Sequence, residues 1–115
     1  MINPGEIYMA QFPAIPAHPV VVVSREDLNR GNTVVAAIIT SAKFALRSTL
    51  PNCVPLRAGQ FGLTKDCVVQ GETVFNAEVA DLDLAAGPIG TLDDITMRDV
   101  IRAIGYVMDS DCEPN

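Results

Sequence analysis

Apolar residues in this chain gather in short, mostly β-branched runs rather than in long periodic ones. The densest region runs from His18 to Ser41: HPVVVVS, a polar connection REDLNRGN, then TVVAAIITS. Val20–Val23 has the length of one strand with both faces covered, and Thr33–Ile39 that of a second. Antiparallel pairing puts His18, which opens the first, on the same sheet edge as Thr40 and Ser41, which close the second. Ahead of them, Gly5–Phe12 (GEIYMAQF) alternates loosely and predicts a first strand, entered through Asn-Pro-Gly. Residues 13–19 (PAIPAHP) carry three prolines and predict a surface loop, because proline donates no ladder hydrogen bond. Pro19 also biases His18 away from helical angles. In the polar connection, Ser24 is placed to cap a single helical turn with Asp27 as its capping-box partner, ended by Arg30-Gly31-Asn32.

Beyond Ser41 the pattern is more broken. Residues 41–49 (SAKFALRST) read as a polar, mobile connection, and Leu50–Leu56 as an irregular strand whose prolines place it at an edge or a bulge. Arg57–Thr64 (RAGQFGLT) is a loop with two glycines, and Asp66–Gln70 a further strand. Gly71 marks a bulge before Thr73–Phe75, and residues 76–88 form a turn or helical turn closed by Gly87-Pro88. The helical period appears once, from Asp93 or Asp94 to Met108. Met97, Val100, Ile101, Ile104, Val107 and Met108 lie on one stripe, and Thr91 or Asp93 supplies the N-cap. Gly105 within it suggests a close approach to the sheet. Five to seven short strands and a C-terminal helix predict a mainly β fold, a small, strongly bent antiparallel sheet or barrel with the helix across it. Residues 1–108 form a single domain, and 109–115 a polar, frayed tail.

Composition narrows the class. A chain of 115 residues, 49% hydrophobic and 19% charged, describes one globular domain with a modest core. No apolar run approaches the roughly 20 residues that span a bilayer, and MINPGEIYM lacks the basic and apolar regions of a signal peptide. A cytoplasmic protein without membrane partners is the expectation. Cys53, Cys67 and Cys112 are odd in number and widely spaced, which suggests neither a disulfide framework nor a zinc site. Cys53 and Cys67 sit in apolar stretches as small buried hydrophobes, and Cys112 lies in the polar tail. The net charge of −6 is uneven. Residues 1–65 carry six Lys/Arg against three Asp/Glu, and 66–115 carry two against eleven. A basic face built from Lys43, Arg47, Arg57 and Lys65 suits a phosphate backbone; the alternative is scattered, solvated charge. Asp93, Asp94 and Asp99 read as a helix cap and a solvated face, because no clustered His or Cys completes a metal site.

The order and spacing of four blocks resemble the MazF/PemK-like toxins of bacterial toxin–antitoxin modules. The blocks are PGEIY, HPVVVVSREDLNRGNTVVAAIITS, LPNCVPLRAGQFGLTKDCVVQGETV and IGTLDDITMRDVIRAI, which together cover nearly the whole chain. The resemblance implies an SH3-like barrel of the CcdB/PemK/MazF type that forms a homodimer. It further implies a metal-independent endoribonuclease, or mRNA interferase, that cuts single-stranded RNA, uses no cofactor and is held inactive by a cognate antitoxin peptide. The family is similar in using an Arg just before a proline at the start of the second strand, with a Ser/Thr at the end of the third. Thr40 occupies the hydroxyl position, and His18 stands where the family has the Arg. This chain also departs in its short PAIPA loop and in reading Glu72, Thr73 and Phe75 where the family often has an acid, a Gln and an Arg.

Cutting RNA without metal uses the 2′-OH as nucleophile. The reaction needs a base, an acid for the leaving 5′-oxygen, and groups that stabilise the phosphorane charge. In one reading His18 transfers the protons, since imidazole titrates near neutrality and guanidinium does not. Thr40 and Ser41 then orient the phosphate, with Arg25 or Arg47 supplying positive charge. In the other reading the active Arg is lost and His-Pro is a turn element. The chain is then a non-catalytic binding module for an antitoxin, RNA or a replication protein such as gyrase. Phe44 beside Lys43, and Phe61 in its glycine loop, are placed either to stack on unpaired bases or to plug the barrel edge.

Overall fold

The structure, a computed structural model, describes residues 1–109. Its strands are β1 (Glu6–Ala10), β2 (His18–Val22), β3 (Thr33–Thr40), β4 (Cys53–Leu56), β5 (Cys67–Glu78) and β6 (Gly90–Thr91). Two helices, α1 (Phe44–Arg47) and α2 (Asp94–Val107), and two 3-10 turns, Glu26–Leu28 and Val79–Asp81, complete it. The strands form one curled six-stranded sheet in the order β4-β5-β3-β2-β1-β6, with every neighbouring pair antiparallel.

Strand alternation divides the apolar residues between two cores. Ile7, Val21, Ala37, Ile39, Val54 and Val69 enter the main core together with Val100 and Ala103 of α2. Their neighbours Tyr8, Val20, Val22, Ala36 and Ala77 enter a second cluster closed by Ile2 and Leu82. Both faces of β2 are therefore covered, which is why its sequence is an unbroken valine run.

Three expectations about the strands need correction. His18 and Pro19 are not loop residues but the first two of β2, paired with Ala10 and Met9. The β2–β3 ladder begins only at Val20, so Pro19 interrupts no bond on that side. The region after Cys67 is one strand of 12 residues and not two. It stays continuous because the irregularity opposite Ala37–Ile39 is absorbed within the pairing. The two-residue β6 has no counterpart in the sequence reading. Leu50–Leu56 contributes β4, an edge strand, and its Pro55 is exposed as the prolines required.

Residues 44–47 are helical rather than a free connection, and the turn at Glu26–Leu28 is capped by Arg25 without a side-chain bond. Ser24 instead accepts the Val35 N–H at 3.0 Å and donates to Asn29 Oδ1. Buried Asn29 donates to the carbonyls of Ile2 at 3.1 Å and Ser24 at 2.9 Å, closing this end of β2 and β3.

Helix α2 begins as the pattern required, with Asp93 Oδ1 accepting the Thr96 N–H at 2.8 Å. Its buried stripe is Val100 and Ala103, flanked by Met97 and Ile104, while Ile101, Val107 and Met108 are exposed. The close approach to the sheet is made by Gly71, where a Cβ would lie 2.9 Å from the Ala103 backbone and from the Asn52 carbonyl. The sheet edges meet through the loop after β4. A Cβ on Gly62 would lie 2.0 Å from the Ile89 carbonyl oxygen, and one on Gly90 1.8 Å from that of Phe61. Cys53 and Cys67 are free and buried, as expected; Cys112 and the tail beyond Asp109 lie outside the described residues.

Candidate active site

Where the β2–β3 ladder stops, the barrel opens into a cleft of about 410 Å³. Its floor follows from strand alternation. Met9, Pro19, Ile39, Ser41 and Cys67 share one face, and Met9 is paired with Pro19. Gly62, Leu63, Thr64 and Lys65 of the loop after β4 form one wall with Ile89 opposite. His18 and Ser41 border the same cleft.

Thr40 is placed differently. Continuing the register Val20↔Ile38 by two residues sets His18 across from Thr40 at the end of the two strands. Thr40 is 7% exposed, pairs with Val68, and its Oγ1 accepts the Ala42 N–H at 3.2 Å. The hydroxyl proton stays available for donation. His18 is half-buried, its ring edge-on to that of Phe12 at 6.1 Å.

The five cationic residues expected at the site separate into three groups. Lys65 is exposed and lines the cleft. Its neighbour Asp66 is engaged elsewhere, with Arg57 Nη1 at 3.5 Å and the Ala58 N–H at 2.9 Å. Among the described residues Lys65 has no ion-pair partner, so its charge stands unneutralised at the cleft. Lys43, Arg47 and Arg57 gather around α1 and do not line the cleft. Lys43 is exposed with φ 54°, Arg47 Nη1 donates to the Ala42 carbonyl at 3.2 Å, and the Arg57 guanidinium lies 5.0 Å over the Phe44 ring. Arg25 is not brought to the site. It follows the far end of β2, about 20 Å along the strand from His18. Phe61 packs on the main core, which matches the plug alternative of its two readings, and Phe44 is half-buried beneath Arg57.

Sequence reasoning missed Thr64 and Cys67 as cleft residues. The antiparallel register Thr40↔Val68, continued by one, puts Cys67 across from Ser41, but that pairing is not legible before β5 is known. Burial, and secondarily Asp66, pushes the Cys67 thiol above its ordinary value, so it is a neutral wall and not a nucleophile. Among the described residues no group of three or more His, Cys, Asp or Glu is placed to hold a metal ion, and no helix is long and apolar enough to cross a membrane.

The profile of the PemK-like, MazF-like toxins of type II toxin–antitoxin systems matches residues 3–108. The chain belongs to that family. Among solved structures, this MazF-like chain is similar to the Mycobacterium tuberculosis toxin MazF-mt6, 28% identical with a TM-score of 0.77, over 93% of this chain and 99% of that one. It shares its fold with an endoribonuclease in complex with its cognate antitoxin from a Mycobacterial species (21% identity, TM-score 0.79, 99% and 100% coverage). The same holds for a MazE–MazF structure from Deinococcus radiodurans (15%, 0.74, 96% and 97%). Among proteins of curated function, none matches the sequence.

Proposed function

We propose that this MazF-like toxin is an endoribonuclease that cuts single-stranded RNA through the substrate's own 2′-OH, without a metal ion. It acts as a homodimer in the cytoplasm and is restrained by a cognate antitoxin peptide. The observation that carries the reading is a cleft bordered by an imidazole, a hydroxyl and an ammonium, those of His18, Ser41 and Lys65, with Thr40 closing the neighbouring strand.

His18 takes the 2′-OH proton as the 2′-oxygen bonds to phosphorus, then returns a proton to the 5′-oxygen as the P–O5′ bond breaks. The products are a 2′,3′-cyclic phosphate and a 5′-hydroxyl. Thr40 and Ser41 donate hydrogen bonds to the non-bridging oxygens, and Lys65 opposes the charge that grows on them. Lys65 takes the role that the sequence reading gave to Arg25 or Arg47. Lys43, Arg47 and Arg57 hold the flanking backbone, with Phe44 positioned to stack once Arg57 turns to a phosphate.

The test is incubation of the purified protein with mixed-sequence single-stranded RNA in EDTA. Fragments ending in cyclic phosphate are expected, and His18→Ala lowers their rate at least about a hundredfold. Intact RNA across a range of pH would overturn the nuclease reading and leave a module that binds without cutting.

A further inference from the structure

Proton transfer requires the imidazole to hold one orientation, and hydrogen bonds usually impose it. Here they do not. Among the described residues no side chain hydrogen-bonds the His18 ring, and His18 lies beyond the last β2–β3 pair, tied by strand pairing to β1 alone. An aromatic side chain lies against the ring instead. Phe12 meets it edge-on, with centroids 6.1 Å apart and planes at 69°. Phe12 in turn leans on Phe75, at 5.6 Å and 49°.

Each member of this row is anchored by a different strand. Phe75 stands on β5 across from Ala36, whose small side chain leaves room for a ring on that face. Phe12 follows β1, and both rings pack against the second core cluster. The cluster is rigid because Val20, Val22 and Ala36 within it are wholly buried. A contact running from Phe75 through Phe12 therefore refers the imidazole to the core.

We propose that Phe12, backed by Phe75, is the positioning residue of this site, its edge-to-face contact holding the His18 ring in the rotamer that proton transfer uses. The proposal rests on the proton-transfer role given to His18 above. Neither phenylalanine is a catalytic residue; both act through the imidazole. An edge-to-face aromatic pair biases a rotamer by roughly two- to tenfold.

His18 is the one histidine of the chain, so its two carbon-bound ring protons give unambiguous NMR signals. Phe12→Leu, Phe12→Tyr and Phe75→Leu are compared with the wild type at one pH, with thermal melts to confirm folding. Phe12→Leu keeps apolar volume against the cluster but removes the ring. It is expected to replace the single set of NOEs from both imidazole protons to the backbone by a weakened, rotamer-averaged set, and to lower kcat about five- to tenfold with KM unchanged. Phe12→Tyr retains the ring and restores both readouts, and Phe75→Leu lowers kcat about twofold. An unchanged set of imidazole-to-backbone NOEs in Phe12→Leu would overturn the proposal, as would an unchanged kcat in a protein that cuts RNA. The NMR arm needs no cleavage. NOEs that become averaged in a protein that cuts nothing would support the positioning contact and place the failure in the nuclease reading.

Discussion

The two ends of the β2–β3 pair are built on opposite plans. At the Ser24 end, the buried Asn29 amide and the Ser24 hydroxyl satisfy one another and the backbone of Ile2 and Val35, and the strands are stapled shut. At the His18 end the ladder stops two residues early, a proline lies beside the gap, and polar side chains border a cleft. Every buried polar group at the closed end has a protein partner. At the open end Thr40 accepts one backbone hydrogen bond, and Lys65 has no ion-pair partner among the described residues. Matched polar groups stabilise the closed end, and the proposed chemistry lies at the end where they are left for a ligand.

This contrast can be broken from either side. The largest effect is expected from Gly90→Ala, because the added methyl meets the Phe61 carbonyl oxygen at 1.8 Å and must part the sheet edges. Urea denaturation should show a loss of about 3 kcal/mol, the upper end of ordinary overpacking, together with impaired cleavage. Asn29→Ala, at the closed end, should cost about 2 kcal/mol by leaving the Ile2 and Ser24 groups unmatched, with cleavage by the folded protein unchanged. Equal damage to cleavage from both variants would erase the distinction between the ends. Lys65→Gln should leave the urea midpoint alone and reduce kcat/KM about tenfold, close to 1.4 kcal/mol. The slope of log binding constant against log salt should flatten by about 0.7 for single-stranded RNA.

The smallest effect belongs to neither end. Asp93→Ala removes the α2 cap and should lower the melting temperature by a few degrees. Hydrogen bonding from Thr96 holds the Asp93 carboxyl below its ordinary 3.8. A depressed carboxylate stabilises the fold above its unfolded pKa, and that contribution is lost as pH falls through the folded one. The gap between wild type and Asp93→Ala should therefore persist at neutral pH and close below about pH 4. A gap that is independent of pH would show that the side chain does not cap through its charge.

What could be read in advance follows the range of the interactions involved. The valine run at β2, the β-branched β3 and the 3.6-residue stripe of α2 are local patterns, and they gave strands and a helix within a residue or two of those observed. The four-residue α1 is shorter than a full amphipathic period, and β6 is two residues of Gly-Thr with no pattern to carry a signal. The antiparallel pairing of β2 with β3, which puts the start of one and the end of the other at one edge, was legible because two β-branched runs flank a polar connection. That Lys65 and not Arg25 lines the cleft was not. Arg25 is nearer to His18 in sequence but sits a strand's length away, whereas Lys65 reaches the cleft only because the 57–66 loop folds back across the barrel mouth. Phe12 and Phe75 are 63 residues apart in sequence, and they meet only once β1 and β5 are both aligned on the central strands.

Main chain rests on main chain where Phe61-Gly62 meets Ile89-Gly90, with room for nothing larger than hydrogen at either glycine. That rim of the pocket cannot be recut by swapping side chains. An engineer seeking to fit a different ligand would have to work from Thr64 and Ala17, and could treat the glycine seam as a fixed hinge pin around which new loops are grafted.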